Sequence, residues 1–287
     1  DRVVRAGIEK ARKTIAELLN TTPGEIFFTS GGTEADNAII TCNVDTYNIK
    51  HIITSKIEHH AVLHTVEHLR DIGKVKLSFV NLDGDGCVDY VHLEELLKTN
   101  DKSLVSLMHA NNEIGNITDI GKVGEICKEH DAIFHSDTVQ TMGHYVHDLS
   151  ELKIDGITGA GHKFHGPKGE GFMYVSKKSR FHPFILGGAQ ERNMRGGTEN
   201  VYGIIGVAKA LEIAYRDMAD HAKYIQGLKD RMIHNLKERI GDIHFNGQSG
   251  IADKSLYTVL NCCLPESDDN DMLLFNLDIN GISASGG

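Results

Sequence analysis

Tryptophan is absent from the chain, and only four prolines occur in 287 residues. No low-complexity tract and no internal repeat is present, which sets aside fibrous and solenoid architectures. No apolar run approaches the roughly 18 residues that a membrane-spanning helix needs. An excess of basic residues is lacking too: the net charge is −10. That argues against nucleic acid or an anionic membrane as the main partner. The five cysteines, Cys42, Cys87, Cys127, Cys262 and Cys263, are odd in number and irregular in spacing. They do not make a disulfide framework, and they read as reduced thiols of a cytoplasmic protein.

The remaining composition is that of a globular protein large enough to bury a substantial core. The chain opens on Asp1 and closes on Gly286-Gly287, so both ends read as cuts in a longer protein. Residues 3–19 repeat apolar side chains at spacings of three and four (Val4, Ile8, Ala11, Ile15, Leu18), which predicts a helix. Short apolar runs then alternate with amphipathic stretches: 26–29 with 33–41, 52–54 with 61–72, 75–80 with 91–97, and 104–108 with 120–130, ending at 132–135. Such alternation predicts parallel strands joined by crossover helices, an α/β sheet. A long helical pattern covers 201 to about 240, anchored by Ile204, Val207, Leu211, Ile225, Leu228 and Met232. After it, 243–245, 256–264 and a helical stretch 269–277 read as the start of a smaller α+β domain. The expected division is 1–217 for a large domain and 218–287 for a small, incomplete one.

Three segments carry chemistry. In Thr29-Ser30-Gly31-Gly32-Thr33-Glu34 an apolar strand enters a Gly-Gly turn and opens a helix. Free backbone N–H groups and the helix dipole favour a phosphate there, although an ordinary strand–turn–helix looks the same. Asp137 follows an apolar strand, where open α/β sheets place ligand groups. Its carboxylate could pair with a pyridinium nitrogen or simply cap the next helix. Lys163 lies in a glycine-rich segment between apolar strands. A lysine shielded from water there can act as an amine nucleophile toward an aldehyde. Each segment alone is weak. In this order, on an alternating α/β chain, they form the kit for pyridoxal 5'-phosphate.

With these residues in view, the chain resembles the cysteine desulfurases of the iron–sulfur-cluster assembly type, in the class V aminotransferase group. The resemblance spans nearly the whole sequence. It rests on Thr29–Glu34, Glu58-His59-His60-Ala61-Val62, Asn111-Asn112-Glu113-Ile114-Gly115, Asp137-Thr138-Val139-Gln140, Gly161-His162-Lys163 and Arg195-Gly196-Gly197-Thr198-Glu199-Asn200. It implies the fold type I of pyridoxal-phosphate enzymes, with a mostly parallel sheet of seven strands flanked by helices. It also implies roles. Lys163 would bond the cofactor's aldehyde, and His59 would stack on the ring and help move a proton. Asp137 would bind the ring nitrogen, while Asn112 and Gln140 would contact the phenolic oxygen and its surroundings. Gly32, Thr33 and His162 would hold the phosphate, and Thr198 would reach the phosphate of a neighbouring subunit in a homodimer.

L-Cysteine would be the substrate, L-alanine a product, and a sulfur-acceptor or scaffold protein the partner. Three departures accompany the resemblance. Ala160 stands where the family usually has a phosphate-binding serine. The family's N-terminal substrate-binding segment does not precede Asp1. Its nucleophilic cysteine is not in the sequence, and neither Cys262 nor Cys263, read as buried strand residues, matches that motif. Another class V enzyme, or an inactive cofactor-binding partner subunit, stands as the alternative. No metal is expected: His60, His64 and His68 recur every fourth residue but read as a polar helix face. Asp83–Asp89 faintly suggests a calcium loop, but Val88 sits where that loop needs glycine, so a turn is expected. Glu191–Arg195 reads as a loop near a dimer interface rather than a solvated charge run.

Overall fold

The computed structural model describes residues 2–98, 102–266 and 270–286. Helix α1 (Arg2–Leu18) buries Ile8, Ala11, Ile15 and Ala16, as its spacing predicts, while Val4 stays exposed. Strand β1 (Ile26–Thr29) leads into α2 (Gly32–Tyr47), β2 (His51–Thr54) into α3 (His60–Asp71), and β3 (Lys76–Phe79) into α4 (Tyr90–Leu97). Strand β4 (Ser103–Ser106) precedes α5 (Ile120–Glu129), and β5 (Ile133–Asp137), β6 (Gly156–Ala160) and β7 (Gly171–Val175) follow. Together they form one seven-stranded sheet in the order β1-β7-β6-β5-β4-β2-β3. Only β7 runs against the others, pairing antiparallel with β1 and β6. Nearly every strand is buried along its whole length, because helices cover both faces. The expected α/β class and mostly parallel sheet are therefore present.

Helix α6 (Val201–Arg239) runs for 39 residues, in line with the long periodic stretch. Its first third packs Ile204, Val207 and Leu211 into the core against α1. Leu228 and Met232, expected as anchors, are exposed instead. Lys229 is the buried residue on that stretch, donating from Nζ to Ser255 Oγ at 2.9 Å and to Leu256 O at 2.7 Å. Buried carbonyl and hydroxyl partners outweigh the apolar periodicity there.

Beyond α6, β8 (His244–Phe245) and β9 (Cys262–Cys263) form a separate two-stranded sheet. The run 256–264 is not one strand. Leu256 and Tyr257 are buried, and Leu256 N donates to Gly115 O at 2.8 Å. This tie to the 111–117 loop pulls the run out of sheet geometry. Cys263 is exposed and Cys262 only half-buried, because so small a sheet covers little of either face. Helix α7 is Leu273–Ile279, preceded by a 3-10 turn at Asn270–Met272; Asp269, the expected start, lies outside the described residues. Asp83 shapes its segment as a turn, its Oδ1 accepting from the N–H groups of Asp85 and Cys87, both at 2.9 Å.

Candidate active site

The carboxyl ends of the parallel strands open into one cavity of about 190 Å³. The turn after β1 delivers Gly32 and Thr33, and the connection after β2 delivers His59. Asn112 comes from the loop after β4, Asp137 and Gln140 from the end of β5, and His162 with Lys163 from the 3-10 turn after β6. Every residue expected to hold the cofactor therefore meets here except Thr198.

One end of the cavity is built by backbone. Gly31 has φ +144°, a conformation that side chains rarely adopt. A Cβ on Gly32 would meet Val139 Cγ2 at 2.9 Å. No side chain caps α2, so its first N–H groups face outward at the positive end of the helix dipole. Ala160 lines this region with a methyl group and no hydroxyl.

Carboxyls gather where β5 ends beside the first turns of α2. Asp137 closes β5, and its Oδ1 accepts from Val139 N at 2.8 Å. Burial, reinforced by the charge of Asp36, pushes its pKa up to about 7. Asp36 is pushed by burial to about 7 and Glu58 to about 8. Glu58 Oε1 accepts from Ser55 Oγ at 2.9 Å and Met108 N at 3.0 Å, while Oε2 has no hydrogen-bond partner. Asp36 Oδ1 has none either. His135 Nε2 lies 3.4 Å from that oxygen, but burial drives the imidazole down to about 4, so the pair is not ionic. Three buried carboxyls thus lie near one another, and among the described residues none of them makes a salt bridge with a lysine or arginine. A group carrying a basic ring nitrogen answers that deficit, and a phosphate answers the open helix end. The residues present fit pyridoxal phosphate.

His59 caps α3, and its Nδ1 accepts from Ala61 N at 3.1 Å. That bond assigns the neutral ring's proton to Nε2. Asn111, missed by the sequence reading, is buried and accepts from the N–H groups of Glu113 and Ile114, which shapes the loop carrying Asn112. Lys163 is exposed, so the expected shielding from water is not supplied by this chain's own fold: a four-residue turn leaves the side chain on the rim. Asp36, Glu58 and His135 were also missed. Their signal was an acid or imidazole on an otherwise apolar buried face, as with Asp36 between Ala35 and Ile39.

Thr198 is exposed on the wall of a second cavity, beside Thr29, Ser30 and Glu170. Arg195 fastens that loop to the start of α2, with Nε and Nη2 reaching the two oxygens of Glu34 at 2.9 and 3.1 Å. Glu191 is buried against Arg12, which places it inside the fold rather than on a loop surface. On α3 the rings of His60 and His64 stack at 5.0 Å. Among the described residues, no group of three or more His, Cys, Asp or Glu is arranged to hold a metal ion.

The aminotransferase class-V family model matches residues 3–287. A cysteine desulfurase IscS of Dictyoglomus turgidum is 41% identical over 288 residues, covering 100% of this chain and 72% of the relative. One from Methanosarcina thermophila is 42% identical over 284 residues, covering 98% and 68%. Among solved structures, a NifS-like protein superposes with a TM-score of 0.92 at 37% identity, covering 98% of this chain and 76% of its own.

Proposed function

Because this chain belongs to the class-V aminotransferase family, and within it to the cysteine desulfurases, we propose that it takes sulfur from L-cysteine with the help of pyridoxal 5'-phosphate. L-Alanine is the other product, and the sulfur passes to a protein thiol for iron–sulfur cluster or thio-cofactor assembly. The observation that carries this reading is the single cavity lined by an uncapped helix end, the buried carboxyls of Asp36 and Asp137, and Lys163.

When bound, the cofactor supplies an electron sink for the charge left on the substrate's Cα. Gly32 and Thr33, with His162 beside them, hold its phosphate. Asp137 would keep its ring nitrogen protonated, and Asn112 and Gln140 would contact its phenolic oxygen and surroundings. Lys163 would hold the cofactor through its Nζ and would move the proton at the substrate's Cα. His59 is the poorer base, because its Nδ1 is committed to Ala61 N and its Nε2 already carries a proton. It covers the ring and donates from Nε2. A thiolate attacks the substrate sulfur, the Cβ–S bond breaks with its electron pair on Cβ, Cβ takes up a proton, and Cα recovers the proton it lost. Burial pushes the thiols of Cys42 and Cys127 up, to about 12 for Cys42, and no cysteine lines the cavity. The acceptor is a thiol other than these.

The reading includes a large cofactor domain over 1–217 and a smaller domain over 218–287. It includes a homodimer in which Thr198 serves the neighbouring site, and a cytoplasmic location. No helix among the described residues is long and apolar enough to cross a membrane. The test is borohydride reduction of the cofactor-loaded protein followed by peptide mapping. A phosphopyridoxyl group on Lys163, lost in Lys163→Ala, is the expected result. An adduct on another lysine would overturn the assignment.

A further inference from the structure

The 3-10 turn Gly161–Phe164 closes on the carbonyl of Gly161, which accepts from the N–H groups of His165 and, at 2.8 Å, Gly166. The turn ends with His165 in the left-handed region at φ 64°. A turn this short leaves its last carbonyls to find partners elsewhere. The carbonyl of Lys163 finds His144, whose Nε2 lies 3.0 Å away. A carbonyl only accepts, so Nε2 carries the proton, and in the neutral ring Nδ1 is left as an acceptor. Burial lowers the pKa of His144, which keeps the ring neutral. Nδ1 lies 2.9 Å from the hydroxyl of Tyr257, which donates to it; the same hydroxyl is 3.3 Å from His144 O. The adjoining Gly143 sits at φ +79°, and a Cβ there would strike Phe164 Cβ at 2.7 Å, so this loop packs directly on the turn.

Tyr257 is buried and follows Leu256, whose carbonyl accepts from Lys229 of α6. We propose that His144 is a positioning residue for Lys163, and that Tyr257 fixes the orientation of its ring. The chain Tyr257 O–H to His144 Nδ1, then His144 Nε2–H to Lys163 O, transmits the seating of the segment after α6 to the backbone of the lysine. This rests on the reading of Lys163 as the cofactor-bonding amine. Its physical part, the tether on the turn, does not.

The test has two arms, with His144→Ala, His144→Gln and Tyr257→Phe. The first is amide hydrogen exchange on the cofactor-free protein. We expect exchange in the 161–166 turn to rise about tenfold in His144→Ala, with His144→Gln recovering most of it by donating to Lys163 O, and with β2 unchanged. Wild-type exchange in the turn of Tyr257→Phe and His144→Ala alike would overturn the tether. If His144→Ala fails to fold, Tyr257→Phe decides on its own. The second arm follows deuterium exchange at Cα of L-alanine by the loaded protein. We expect the saturated rate to fall about tenfold in His144→Ala while the half-saturating concentration stays within twofold, and His144→Gln to restore it. A wild-type rate, with the borohydride adduct still on Lys163, would overturn the positioning role alone. An adduct elsewhere in the wild type would instead overturn the reading of Lys163.

Discussion

Arg12, in the middle of α1, grips both carboxylate oxygens of Glu191 at 2.7 Å each. Arg12 is 2% exposed, and Glu191 Oε2 also accepts from Phe28 N at 2.8 Å. The pair therefore ties the first helix, the first strand and the 190–193 turn together at one buried point. Glu191, Arg192 and Asn193 have φ of 45°, 57° and 65°, three successive left-handed residues without glycine. Such a run is unfavourable unless its surroundings hold it. The loop carrying Arg195 and Thr198 begins from it.

Arg12→Ala leaves the Glu191 carboxylate buried with only a backbone N–H. It should lower the free energy of unfolding by about 3–5 kcal/mol, read from urea denaturation. Arg12→Lys should recover little, because an ammonium does not span both oxygens. A loss below about 1 kcal/mol would show that the turn is held some other way.

The buried carboxyls make a prediction about pH. Unfolded, Asp36, Glu58 and Asp137 ionise near pH 4. Folded, they hold their protons to about 7, 8 and 7. Their folded pKa values are raised, so the stability they contribute is present below pH 4 and lost as pH rises through 7 to 8. His109, His135 and His147 work in the other direction. Burial lowers them to about 4, 4 and 3, so their contribution is present above pH 6.5 and lost as pH falls. Above pH 6.5 the histidine contribution levels off, and the raised carboxyls, with Glu170 at about 7 among them, set the trend. Glu58, the highest, should cost about 2 kcal/mol between pH 6.5 and 8.5. The melting temperature of the cofactor-free protein should fall across that range, and Glu58→Gln should flatten the fall. Pyridoxal phosphate should flatten it as well, by placing a cationic ring beside Asp137. A melting temperature independent of pH in the cofactor-free protein would contradict this charge balance.

The sequence carried the sheet and most of the site, and the reason is local. Strand–helix alternation sets where parallel strands end, and residues just past strand ends in Gly-rich turns, such as Gly32 and Lys163, converge wherever the sheet is parallel. What stayed hidden depends on packing between distant segments. Asp36 lies on an apolar helix face whose neighbours are His135 and Thr158, more than ninety residues away in sequence. Lys229 replaced Leu228 and Met232 as the buried residue because Ser255 and Leu256 present oxygen atoms to it. The exposure of Lys163 was misread because the short turn that carries it has no apolar cover of its own.

Ala160 is a direct handle on the proposed phosphate site. It is 1% exposed, lines the cavity, and stands close enough to α2 that a Cβ on Gly32 would touch its methyl at 3.7 Å. Ala160→Ser adds a hydroxyl donor without lengthening the side chain beyond one atom. One net hydrogen bond is worth about 1 kcal/mol, so the dissociation constant for pyridoxal phosphate should fall about fivefold. Equilibrium dialysis would measure it. An unchanged or weaker affinity would mean that the uncapped helix end already satisfies the phosphate.

Thr198 distinguishes a site built by one chain from a site shared by two. It lies outside the cavity that holds Lys163, on the loop that Arg195 fastens to the start of α2. Suppose its hydroxyl serves the neighbouring subunit. A dimer mixed from Lys163→Ala and Thr198→Ala chains then contains one complete site, with the lysine from the second chain and the threonine from the first. It should bind one cofactor per dimer with wild-type retention during gel filtration, although Thr198→Ala alone loses cofactor about fivefold faster. If each chain serves only itself, one site of the mixed dimer lacks the lysine and the other the threonine. No tightly held cofactor should then appear. Tagged chains unfolded together, refolded and purified through both tags would supply the mixed species, and its absorbance spectrum would decide between the two arrangements.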